Sequence, residues 1–173
     1  MNEQPKRLLD TYALNEAPGY LIRLAQQRAV DLFVEEVGED GPTPRQFAVL
    51  LNVYQSPGMS QTALVRASGI DRSTLTEILR RMIDRGLISR TRLKQDRRAN
   101  ALTVTPTGEA LLLGAFDATR RAQERIVAPL PPGQRAQAMS ILAALAGCGN
   151  PEKDPDLPAP PGRSAPINPD DAA

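Results

Sequence analysis

Residues 60–108 read SQTALVRASGIDRSTLTEILRRMIDRGLISRTRLKQDRRANALTVTPTG, and their punctuation is the most informative feature of the chain. Ser60 can cap a short helix whose inner side is Leu64, Val65 and Ala67. Ser68-Gly69 stops it, because glycine tolerates the positive φ of a tight turn. Asp71 then caps another helix in which Leu75, Ile78, Leu79 and Met82 fall at i, i+3, i+4 and i+7, leaving Arg72, Ser73, Thr76 and Arg80 to face outward. After the stop at Gly86, Leu87 to Arg92 runs to a tip, Lys94-Gln95-Asp96-Arg97-Arg98-Ala99, and Ala101-Leu102-Thr103-Val104-Thr105 returns with alternation. Helix, glycine turn, helix, glycine stop and basic hairpin form the order of a winged helix-turn-helix.

The chemistry of the outward residues suits a nucleic acid. Ser73 and Thr76 can meet base edges or phosphate oxygens, and Arg72 or Arg80 can fork to guanine or to phosphate. At the hairpin tip a guanidinium can enter a narrow minor groove, with Asp96 orienting one arginine. Each signal alone has a plainer reading, a capped amphipathic helix with a solvated charged face and a solvated loop. What favours DNA is that one ordered series contains them all. Charge points the same way: residues 71–98 carry nine Arg or Lys against four Asp or Glu, while the whole chain balances 21 against 20.

The rest of the 173 residues divides simply. Pro18 to Val37 carries Leu21, Leu24, Ala25, Leu32 and Phe33 at helical spacing and predicts a long first helix. Thr43 with Pro44 opens a second, striped by Phe47, Leu50, Leu51 and Tyr54 and stopped at Pro57-Gly58. Thr105-Pro106 opens a helix running through Leu111, Leu112, Leu113, Phe116 and Ile126 to Pro129, and a last one spans Pro132 to Ala146 with Ala138, Ile141, Leu142 and Leu145 on one side. That side either packs on its own core or, with the first helix, forms a dimer interface. The domain boundaries expected are an N-terminal extension over 1–17, a regulatory domain over 18–147 and a disordered Pro-rich tail over 148–173. Within the domain, 43–105 is the winged lobe and 18–37 with 106–147 supply the dimerisation helices.

Composition argues against other classes. There is no His and a single Cys, Cys148, so neither a Cys/His zinc site nor an internal disulfide can be built. No phosphate loop, nucleophile elbow or acid–base carboxylate pair is present, so no enzymatic activity, metal or cofactor is expected. No apolar run approaches the roughly 20 residues of a membrane span, and the first residues lack a signal-peptide core, which predicts a cytoplasmic protein.

The stretch from Pro44 to Leu113 resembles the MarR (multiple antibiotic resistance regulator) family of winged-helix repressors. The carrying residues are Gly69-Ile70-Asp71-Arg72-Ser73-Thr74-Leu75-Thr76, Met82-Ile83-Asp84-Arg85-Gly86-Leu87-Ile88-Ser89-Arg90, and Asp96-Arg97-Arg98 followed by Leu102-Thr103-Val104-Thr105-Pro106-Thr107-Gly108. The resemblance implies a mainly α fold with a small β-wing, about six helices and an intertwined homodimer whose first and last helices interlock over a palindromic operator. It implies major-groove roles for Arg72, Ser73, Thr74, Thr76 and Arg80, a minor-groove role at the wing tip for Arg97 and Arg98, with Arg98 entering the groove and Asp96 bracing it, and phosphate contacts for Gln61 and Thr62. It also implies release from DNA by a small effector.

The first helix, with Pro18-Gly19-Tyr20-Leu21-Ile22-Arg23 and Gln26-Gln27-Arg28, is similar to those of members controlling aromatic-acid catabolism. Arg23 and Arg28 could then supply charge, and Tyr20 and Tyr54 a stacking wall, for an aromatic carboxylate or its coenzyme A thioester, although such arginines also snorkel at ordinary surfaces. Alternatives are a redox-responsive regulator using Cys148 and a winged module that binds only protein.

Overall fold

The computed structural model describes residues 8–92 and 100–147. The expected tip residues Asp96, Arg97 and Arg98, Cys148 and the Pro-rich tail lie outside them. The chain divides into two compact units, Met1–Pro131 and Pro132–Ala173. The first holds α1 (Pro18–Val37), α2 (Pro44–Gln55), α3 (Gln61–Ser68), α4 (Arg72–Asp84), β1 (Ile88–Arg92), β2 (Asn100–Val104) and α5 (Pro106–Val127). A single 3-10 turn, Leu14–Glu16, precedes α1. The second unit is described by α6 (Pro132–Leu145), whose Ile141, Leu142 and Leu145 are exposed.

Side-chain caps set the helix starts. Thr43 Oγ1 accepts from the Gln46 amide at 3.3 Å while Gln46 Oε1 accepts from the Thr43 amide at 3.0 Å, a closed capping box. Ser60 Oγ accepts from the Ala63 amide at 3.1 Å. A cap of this kind contributes about 1 kcal/mol. Gly69 closes α3 at φ +64°, in the left-handed region, and thereby aims α4 across α3.

Thr105 performs two tasks. Its hydroxyl oxygen accepts from the Gly108 amide at 3.1 Å, starting α5, and its proton goes to the Gly86 carbonyl at 2.6 Å, tying α5 to the turn between α4 and β1. The approach there is so close that a Cβ on Gly108 would run into the Leu87 carbonyl oxygen.

The core gathers Leu50 of α2, Leu64 of α3, Leu75, Leu79 and Met82 of α4, and Ile88 and Leu102 of the hairpin, all fully buried. Phe33 joins α1 to it, meeting Phe47 edge-to-face with ring centroids 6.1 Å apart. β1 and β2 pair antiparallel, Ile88 opposite Val104 and Arg92 opposite Asn100. The outer edge of β2 is also paired: Leu102 donates to the Met59 carbonyl at 3.0 Å and accepts from the Gly58 amide at 2.8 Å. Both Ala101 and Leu102 are buried, so the alternation expected of this strand gives way where the segment before α3 covers it.

Two apolar assignments need correcting. Tyr54 is 46% exposed, and the buried face of α2 is Phe47, Val49, Leu50 and Val53. On α5 the inward face is Gly108, Leu112, Ala115, Thr119 and Ala122, whereas Leu113 and Phe116 are exposed. Small residues on that face let α1 lie close along α5. Their C-terminal ends are clamped: Glu36 takes Arg121 Nε and Arg125 Nη1, both at 2.9 Å, and Glu35 takes Arg125 Nη2 at 2.7 Å. Arg121 first, then Arg125, holds the Glu36 carboxyl below the ordinary carboxylate range. The outer side of α1 leaves Leu21, Ile22, Leu24 and Val34 exposed.

Candidate nucleic-acid interface

The first turn of α4 is organised by Asp71. Its Oδ1 accepts from the Thr74 amide at 2.9 Å and from the Ser73 hydroxyl at 2.6 Å, and these bonds, Ser73 first, hold its carboxyl far below the usual range. A carboxylate can only accept, so the Ser73 proton is committed to Asp71. Ser73 then presents lone pairs outward, suited to an amino group on a base edge, and must rotate before it can donate to phosphate.

Five side chains from three elements are linked around this turn. Thr76 Oγ1 donates to the Arg72 carbonyl at 2.7 Å and accepts from Gln61 Nε2 at 2.7 Å. Gln61 Oε1 in turn accepts from Arg90 Nη2 of β1 at 3.2 Å, and Arg72 Nη2 donates to Thr62 Oγ1 at 3.0 Å. Gln61, Thr62, Arg72 and Thr76, expected on sequence grounds, are therefore brought together, and Thr74 supplies the capped amide while its side chain is half-buried. Arg90 is the member that sequence reading passed over. It stands mid-strand in the wing, opposite Leu102, and no local signal ties it to Gln61.

Arg80 is exposed as expected but is not free. Its Nε and Nη2 fork onto Glu77 at 3.1 and 2.8 Å, and its Nη1 reaches Asp84 at 3.2 Å. Glu77 also accepts from Arg81 Nε at 2.9 Å. The spacings i+3 and i+4 make these neighbours on one helix face. Glu77 is pulled down to about 2, by Arg80 first and then Arg81.

A cleft of about 740 Å³ opens beside the first two turns of α4, between them, α1 and the start of α2. Val30, Pro44 and Ile78 give it apolar walls, while Arg45, Arg81 and Glu77 bring charge. None of Tyr20, Arg23, Arg28 or Tyr54 lines it. Arg23 instead lies over the Tyr20 ring, 5.0 Å from its centroid, and Arg28 Nη1 approaches Glu35 at 4.0 Å. Among the described residues no cluster of three or more His, Cys, Asp or Glu could hold a metal, and no helix is long and apolar enough to cross a membrane.

Comparison with known proteins agrees with this geometry. The sequence model of the MarR family matches residues 43–99. The protein assigned to regulation of the hcr operon in Thauera aromatica is 30% identical over 128 residues, covering 73% of this chain and 77% of that one. Among solved structures, the transcriptional repressor CouR bound to a 23-mer DNA duplex is 35% identical with a TM-score of 0.70, over 77% of this chain and 94% of that one. Bordetella bronchiseptica BpsR, whose DNA binding is regulated by 6-hydroxynicotinic acid, is 27% identical with a TM-score of 0.74, over 78% and 96%.

Proposed function

The chain belongs to the MarR family of winged-helix transcriptional regulators, and on that premise we propose that it represses transcription as a homodimer on a palindromic operator and is released by a small aromatic anion. The carrying observation is the linked array of Gln61, Thr62, Arg72, Thr76 and Arg90 around the Asp71-capped turn, which presents donors and guanidinium groups from α3, α4 and β1 on one exposed face. Arg72, Ser73, Thr74 and Thr76 read the major groove, with Arg80 beside them. Gln61 and Thr62 bind phosphate, Arg98 enters the minor groove with Asp96 bracing the wing, and Arg97 binds DNA beside it. CouR, a repressor bound to duplex DNA, supports the DNA reading.

Dimerisation follows from the apolar side chains that α1 and α6 leave exposed, including Leu21, Ile22 and Leu24 on one and Ile141, Leu142 and Leu145 on the other. The effector is an aromatic carboxylate, free or as its coenzyme A thioester. The cleft beside α4 supports this reading, with Val30 and Ile78 to pack a ring and Arg45 and Arg81 to meet a carboxylate, in a volume ordinary for a small-molecule site. The regulation of BpsR by 6-hydroxynicotinic acid supports the same class.

Fluorescence anisotropy on DNA from upstream of the protein's own gene tests the proposal, with benzoate, 4-hydroxybenzoate, 6-hydroxynicotinate and benzoyl coenzyme A as competitors. The expected result is tight binding that weakens steeply with salt and is released by one of these compounds. No binding at low salt would refute the DNA reading in favour of a protein-binding module, and a complex that none of them releases would remove the aromatic effector.

A further inference from the structure

Glu77 stands between the two surfaces to which a function has been given. Its carboxylate holds Arg80, which faces outward beside the recognition turn, and Arg81, which lines the cleft. Glu77 lines that cleft as well. We infer that Glu77 is a positioning residue shared by the DNA face and the effector cleft, and that its single charge makes occupation of the two surfaces antagonistic. The inference rests on the effector reading above.

In the free protein Glu77 serves two guanidinium groups, Arg81 and Arg80, the second of which Asp84 also holds. When a DNA phosphate draws Arg80 away, Arg81 remains to neutralise Glu77. When an aromatic carboxylate draws Arg81 into the cleft, Arg80 remains, and Glu77 holds it more firmly. With both ligands present, both arginines are drawn off and Glu77 is left as an unpaired carboxylate facing two anions. Each ligand therefore weakens the other by the same factor, as linkage requires, without any large movement of α4. Asp84 adds to the hold on Arg80, through a 3.2 Å contact from the next turn.

The test is a set of double-mutant cycles in the full-length protein, read as operator affinity by anisotropy, with helicity checked by circular dichroism. Glu77→Gln tightens operator binding in the otherwise unchanged protein. The gain is larger when combined with Arg81→Gln, up to about fivefold per lobe, the upper range for an exposed ion pair, and disappears when combined with Arg80→Gln. Arg81→Gln alone mimics the effector and weakens binding. Where 6-hydroxynicotinate or 4-hydroxybenzoate releases the unchanged protein, the same acid is several-fold less effective on Glu77→Gln. Equal gains from Glu77→Gln in all three backgrounds would show a general charge effect and overturn the inference, as would undiminished release of the Glu77→Gln complex. A complex of the unchanged protein that no acid releases refutes the effector reading instead, and the cycles on DNA alone still decide whether Glu77 is shared.

Discussion

Replacing Arg90 with Gln tests the DNA face at the residue that sequence inspection passed over. Among the described residues the guanidinium is held by one bond, to Gln61 at 3.2 Å, from an exposed position on β1. If it meets a phosphate in each lobe of a dimer, its loss removes two released counterions. The slope of log affinity against log salt then becomes shallower by about 1.8, at about 0.9 per phosphate. Over a fourfold rise in salt, from about 50 to about 200 mM, the handicap of Arg90→Gln shrinks by about 12-fold. The assay is operator binding by anisotropy across that range, with dimer content checked by size-exclusion chromatography. Gln61→Ala serves as the contrast: it loosens Arg90 and lowers affinity at every salt concentration but leaves the slope almost unchanged, because no cation is lost. A handicap for Arg90→Gln that stays constant across the salt range would refute the phosphate assignment.

Other outcomes follow from the same structure. Gly69→Ala should destabilise the protein by about 1–2 kcal/mol in urea unfolding, because it forces a side chain into the left-handed region at φ +64°. Thr105→Val removes the cap of α5 and leaves the Gly86 carbonyl without its hydroxyl donor; a loss of about 1–2 kcal/mol is expected by the same measurement. Thr119→Val should hold or raise the thermal midpoint, since the Thr119 hydroxyl is buried with no hydrogen-bond partner among the described residues and an apolar group of the same shape suits its place. Stability should also fall in acid: Glu77 and Glu36 have folded values below the ordinary 4.5, so their contribution is complete above about 4.5 and is lost as pH drops toward the folded values, about 2 for Glu77. Urea midpoints at pH 5 and pH 3 measure this, and Glu77→Gln should reduce the drop.

Element order was legible because local chemistry marks nearly every boundary. Thr43-Pro44, Ser60, Asp71 and Thr105-Pro106 start helices by satisfying first-turn amides, and Gly69 ends α3. These signals act within four residues and need no tertiary context. The face of a helix is less secure. On α5 the sequence displays Leu113 and Phe116, yet the side against α1 is Leu112, Ala115, Thr119 and Ala122, because close helix approach rewards small residues over large ones. Tyr54 strays from the buried face of α2 for a similar reason: Val49 and Val53 complete it with Phe47 and Leu50.

The candidate interface was half legible. Outward spacing picked out Arg72 and Thr76, and the family resemblance added Gln61 and Thr62, but the strand residue Arg90 joins them across 29 positions, a link only folding creates. The pairing of Arg80 was readable from the i+3 and i+4 carboxylates at Glu77 and Asp84 and was passed over. The clamp of Glu36 on Arg121 spans 85 positions and carries no local mark.

The joint at Thr105 gives the wing a mechanical role. Because one hydroxyl both starts α5 and grips the Gly86 carbonyl, a pivot of the hairpin independent of the helix behind it would break that bond. α5 and the wing act as the two arms of one lever with its fulcrum at Thr105. Five residues of β1 give the short arm a reach of about 16 Å, at about 3.3 Å per residue. A turn of α5 by about 10° therefore sweeps the end of β1 through about 3 Å, as far as the whole length of a hydrogen bond. On the proposed DNA reading, a tilt too small to disturb the core is thus enough to take the wing out of register with a groove.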